Sequence, residues 1–131
     1  MSEQNVELVR SAFEAFRRGD VHGALEHAHP DMISRRTDPD GAVFHGRDGF
    51  LALLADWVEG FEEWSYRAEE FIDAGDHVVV RFHQRARGAG SGVPVDADFW
   101  FTYAIEDGKI RRFTIFPDRE RAFEAVGLSG S

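Results

Sequence analysis

Apolar and polar residues follow two different periods along this chain, and the switch between them divides it. Val6, Val9, Phe13 and Phe16 recur at three- and four-residue spacing, while Glu7, Arg10, Glu14 and Arg17 fill the opposite face, so the spacing predicts an opening helix. Gly19 is its stop signal. Asp20 is placed to cap a short second helix running to Leu25, and "HPD" at 29–31 breaks the pattern, because Pro30 disfavours helical backbone in the residue before it. "DMISRRT" (31–37) reads as a short strand, and Pro39, Asp40 and Gly41 as a turn. A third helix is predicted from about Asp48, with Phe50, Leu53, Leu54, Trp57, Val58 and Phe61 on one broad apolar stripe.

From Trp64 the period becomes two. "WSYRAEEFIDAG" (64–75) and "HVVVRFHQRAR" (77–87) read as strands joined by a turn at 73–76, and "GAGSG" (88–92) as a flexible connector. Two more strands follow in "VDADFWFTYAIEDGKIRRFTIF" (95–116), folded back at "EDG". Pro117 stops the last strand, Asp118 suits the N-cap of a final helix in "RERAFEAV", and Gly127 ends it. Without an internal repeat or linker, residues 1–131 form one domain. Helices come first and a four-stranded antiparallel run follows, which is an α+β plan.

Side-chain alternation also predicts a register. Opposing Ile105 to Lys109 puts Tyr103 across from Arg111, Phe101 from Phe113 and Phe99 from Ile115, with the rings on one face. Across the glycine connector the same alternation sets Phe82 opposite Phe99 and Gln84 opposite Ala97. His83 then meets Asp98, and Arg85 meets Asp96, on the other face.

Charge narrows the functional classes. Fifteen Lys and Arg against 24 Asp and Glu give a formal charge of −9, which repels phosphate backbones, so nucleic acid is not an expected partner. The chain has no cysteine, which excludes disulfides and thiolate metal sites and fits a cytoplasmic protein. "MSEQNVELVR" lacks the features of a signal peptide and no apolar run is long enough to span a bilayer, so no membrane partner is expected either. His22, His27, His29, His45 and His77 lack metal-ligand spacing and an acidic partner set, and no glycine motif cradles a phosphate. Neither a metal nor a cofactor is implied.

The order helix, "RRGD", short helix, "HPD", strand, "FHGRDGF" helix, long strands, "EDGKIRRF" and "DRERAFEAVGL" resembles the nuclear transport factor 2-like superfamily, and within it the SnoaL-like proteins. The resemblance covers essentially the whole chain. It implies a cone in which a curved antiparallel sheet wraps the N-terminal helices around one internal pocket, and pairing of two chains through the outer sheet face. Relatives include ketosteroid isomerases, limonene-epoxide hydrolases, polyketide cyclases and binders without catalysis. The acids and donors those enzymes use map here onto Ala12, the neighbourhood of Arg36, Trp100 or Phe101, and Ile115. None of these is a carboxylate.

The candidate pocket follows: Phe13, Phe16, Trp57 and Phe61 from the helices face Phe82, Phe99, Phe101, Phe113 and Ile115, with Gln84 and Tyr103 as polar handles and Arg36 at the rim. His83 with Asp98 has the form of a base held by a carboxylate, and is a catalytic candidate only if the pair faces inward. Three readings stay open. The domain holds a small, largely apolar molecule and does isomerase, cyclase or hydrolase chemistry by proton transfer; it binds such a molecule without catalysis; or it is a structural homodimer with a filled core. The dimer is expected around an exposed Trp100 beside Thr102, Arg112 and Thr114.

Overall fold

The apolar stripe beginning at Val6 becomes α1 (Glu3–Arg17), followed by α2 (Val21–Leu25), whose N-cap Asp20 accepts from the Gly23 N–H at 2.9 Å. A computed structural model describes residues 3–37 and 41–128; Pro39 and Asp40 of the expected turn lie outside them. β1 (Ala28–Arg36) starts earlier than the sequence pattern predicts and includes "HPD". Pro30 is tolerated there because pairing with the neighbouring strand shifts between Ala28 and Ile33, where a missing N–H costs no ladder bond. Next come β2 (Val43–His45), which the pattern did not indicate, and α3 (Gly46–Glu59). Phe61 belongs to the next strand, not to the helical stripe.

β3 (Phe61–Ala74), β4 (His77–Gly88), β5 (Pro94–Glu106) and β6 (Lys109–Phe116) form the antiparallel run, and α4 (Arg119–Ala125) closes the fold. The full sheet has six strands in the order β2-β1-β6-β5-β4-β3, with β1 parallel to β6 and every other pair antiparallel. It is curved and unclosed around the N-terminal helices, an α+β cone. Two register shifts in β3, between Glu62 and Ser65 and between Ala68 and Glu70, supply bends of the kind that let a long strand wrap.

The β4–β5 register is the one that alternation predicts, pairing Phe82 with Phe99, His83 with Asp98, Gln84 with Ala97 and Arg85 with Asp96. The β5–β6 register differs by two residues: Phe101 faces Ile115 and Tyr103 faces Phe113. Asp107 (φ 52°) and Gly108 (φ 73°) make a tight two-residue turn, so Glu106 rather than Ile105 meets Lys109. A further shift between Ala104 and Ile105 then bypasses Arg111. A slip of two keeps each side chain on its predicted face.

The two faces bury two cores. Inside lie Val9, Met32, Leu53, Val78, Val80, Phe82, Phe101 and Phe113; outside, Val79, Trp100 and Phe116 are covered by Ala122 and Phe123 of α4. Trp100 is therefore not the exposed residue that the sequence suggested. It is 9% exposed and meets Phe123 edge to face at 6.1 Å.

Candidate functional site

Between the helices and the concave sheet face lies a cavity of about 420 Å³. Its floor is aromatic because β3, β4, β5 and β6 each direct alternate residues inward. Tyr66 stacks on Phe82 at 5.3 Å, Phe82 on Phe101 at 4.4 Å, Phe101 meets Phe113 at 5.0 Å, and Phe113 meets Tyr103 at 5.1 Å. Opposite stand Phe13 and Phe16 of α1 and Phe50, Leu54 and Trp57 of α3. Ala12, Ala24 and Ala28 line the same space with methyl groups alone, which leaves room that larger side chains would occupy. Exposed Ala55 marks where the cavity meets the surface.

Of the pocket residues expected from sequence, Phe13, Phe16, Trp57, Phe82, Phe101, Tyr103, Phe113 and Ile115 line the cavity. Phe61, Phe99, Gln84 and Arg36 do not. Phe99 packs edge to face on Trp57 at 4.8 Å and Phe61 lies 6.4 Å from the same indole, so both buttress the wall from behind. Arg36 points inward but its Nη1 donates to Asp56 Oδ2 at 2.7 Å, which ties β1 to α3. Arg111 Nη1 lies 2.9 Å from His29 Nδ1.

Gln84 is fully buried, and its Oε1 accepts from the indole N–H of both Trp57 (2.8 Å) and Trp64 (3.1 Å). One amide oxygen thus fixes two cavity walls from different elements, α3 and β3. Gln84→Leu leaves both indole donors unsatisfied at about 1–3 kcal/mol each. We expect it to destabilise the fold by about 2–4 kcal/mol in urea unfolding followed by tryptophan fluorescence, with partial relief from losing the unpartnered Nε2.

His83 and Asp98 lie on the outer face, across the sheet from the cavity, because they alternate with inward-facing Phe82 and Phe99. The condition for their catalytic reading, an inward orientation, is not met. His83 Nδ1 is 2.6 Å from Asp98 Oδ1 and its Nε2 is 2.8 Å from Asp96 Oδ1, so each ring nitrogen lies within hydrogen-bond distance of a carboxylate. The His83 hydrogen bond, with Arg81 adding to it, holds the Asp98 carboxyl below its ordinary range against a smaller opposing effect of burial. Arg81, Arg85, Glu70 and Asp96 extend this into a cross-strand charge network.

None of the lining residues carries a carboxylate, imidazole or cation. The lining holds four side-chain donors, the Trp57 and Trp64 indoles already bound to Gln84 and the Tyr66 and Tyr103 hydroxyls. Burial pushes the Tyr103 phenol far above its ordinary pKa, so it stays a protonated donor rather than a base. Sequence reasoning did not place Tyr66 or Trp64 here. Their alternation in "WSY" was visible, but nothing in the sequence oriented β3 against β4 across the bulge at 62–65. Among the described residues no group of histidines and acids is arranged to hold a metal, and no helix is long and apolar enough to cross a membrane.

The SnoaL-like domain family matches residues 9–113, most of the chain. The chain belongs to the SnoaL-like family. Solved structures agree on its fold. A nuclear transport factor 2-like protein of unknown function from Burkholderia pseudomallei K96243 is 26% identical, with 96% of this chain and 98% of that one covered and a TM-score of 0.75. TerC, co-crystallised with polyporic acid, is 25% identical over 95% of this chain and 99% of its own, with a TM-score of 0.73. A protein from Jannaschia sp. CCS1, provisionally named a SnoaL-like polyketide cyclase, is 24% identical over 96% and 95%, with a TM-score of 0.76. Among proteins of curated function, none matches this SnoaL-like chain.

Proposed function

We propose that this SnoaL-like domain binds a small, largely apolar molecule in the cone and does so without proton-abstraction chemistry. The observation that carries this reading is the pairing of a cavity of about 420 Å³ with a lining that lacks any carboxylate or imidazole. Isomerase, cyclase and hydrolase reactions by proton transfer need a base within hydrogen-bond reach of the reacting atom. Tyr103 supplies only a donor. Its deep position suits a ligand carbonyl or hydroxyl, since no protein group among the described residues accepts its proton. That TerC was crystallised with polyporic acid supports a ligand-holding role for this cone shape.

The test uses 4-cyclohexylcyclohexanone, a neutral bicyclic ketone, displacing the fluorescent apolar probe N-phenyl-1-naphthylamine. Tyr103→Phe is expected to weaken ketone binding by about tenfold or more, the equivalent of one hydrogen bond, with little change in melting temperature. Unchanged ketone affinity together with a large loss of stability would place Tyr103 in a closed core and defeat the reading.

We also propose that the domain forms a homodimer through the outer sheet face, with a changed centre. Since α4 covers Trp100, the available part is the groove between α4 and β2, lined by Ile33, Val43, Thr102, Thr114 and Phe116. Arg35 and Arg112 border it, and neither has a carboxylate in ion-pair range among the described residues. The joint change Arg35→Glu and Arg112→Glu should weaken association at least tenfold in sedimentation equilibrium. A monomeric wild type at micromolar concentration would contradict the dimer.

A further inference from the structure

The chain has only two tyrosines, Tyr66 and Tyr103, and both line the apolar cavity between the helices and the sheet. They come from strands two apart in the sheet, β3 and β5, and reach the cavity from different levels of β4: Tyr66 pairs with Gln84 and Tyr103 with Val78. Four ring contacts link them, Tyr66 to Phe82 to Phe101 to Phe113 to Tyr103, so they end an otherwise apolar floor. The indole donors of Trp57 and Trp64 are already taken by Gln84. Neither tyrosine hydroxyl has a protein partner among the described residues. What the lining offers is therefore two uncharged donors at separate ends of an aromatic wall.

We propose that the cavity takes a neutral ligand with two hydrogen-bond acceptors at opposite ends of an apolar body, one held by Tyr103 in the interior and the other by Tyr66 near the opening. This rests on the ligand-binding reading above and adds the ligand's pattern of acceptors. A charged ligand is disfavoured, because no lining side chain would pay the cost of stripping its water. A wholly apolar ligand would leave two hydroxyls facing it without partners, and a ligand with one acceptor would leave one. Tyr66 is half-buried beside Glu14 and Arg17 of α1, and burial raises its pKa as well, so it too remains a donor at neutral pH.

Two ligands that differ only in a second carbonyl separate the roles: 4-cyclohexylcyclohexanone and [1,1′-bicyclohexyl]-4,4′-dione, each titrated by displacement of N-phenyl-1-naphthylamine. Tyr66→Phe should lower affinity for the dione about tenfold and leave the monoketone unchanged, whereas Tyr103→Phe should weaken both. A purely structural role for Tyr66 would move both ligands together, and that result, or an unchanged dione affinity, overturns the two-acceptor proposal while the cavity reading stands. Failure of the wild type to bind even N-phenyl-1-naphthylamine would overturn both.

Discussion

Replacing Trp100 by glutamate should cost about 3–5 kcal/mol, a large share of the roughly 5–15 kcal/mol that holds a domain folded. Trp100 stands in the outer core with fully buried Val79 and Ala122 and nearly buried Phe116 and Phe123. A carboxylate there loses the indole's packing, including its edge-to-face contact with Phe123, and must be desolvated under α4. Arg81, its cross-strand neighbour, offers little rescue because it is already shared between Glu70 and Asp98. The measurement is urea unfolding by far-UV circular dichroism. If Trp100→Glu keeps wild-type stability and only separates two chains, then α4 does not cover this face and the dimer belongs around Trp100 after all.

The second large effect is on binding. Ala12 is 7% exposed on α1 and its methyl group faces the cavity. Ala12→Phe places a ring where a ligand would lie, so affinity for N-phenyl-1-naphthylamine should fall by a hundredfold or more. Stability should change by less than about 1–3 kcal/mol, the usual penalty of overpacking, because the ring enters existing space. Wild-type affinity in Ala12→Phe would mean that the probe binds elsewhere; a collapse of stability would mean that the space around Ala12 is not available.

Much of this was legible from side-chain period alone. Phe82, His83, Gln84 and Arg85 take the partners and faces that alternation assigns, because one buried face fixes register strongly. The β5–β6 pairing was displaced since Asp107 adopts a left-handed backbone, letting two residues turn where three were expected. What local pattern could not carry was distant pairing. The parallel match of β1 with β6, the docking of α4 over Trp100 and the bulges that bring Trp64 and Tyr66 inward depend on residues far apart in sequence. For that reason the core-facing rings were found, but Gln84 was read as a pocket handle when it is the brace behind two walls.

The chain's two methionines make the central claim directly testable, because Met32 lines the cavity and Met1 precedes the described residues. With ¹³C labelling of the methionine, valine and threonine methyls and one equivalent of N-phenyl-1-naphthylamine, nuclear Overhauser contacts should appear between the probe and the Met32 methyl, and vanish in Ala12→Phe. Saturable binding with no contact at Met32, and contacts instead to Val43 or Thr114 on the outer face, would contradict the account.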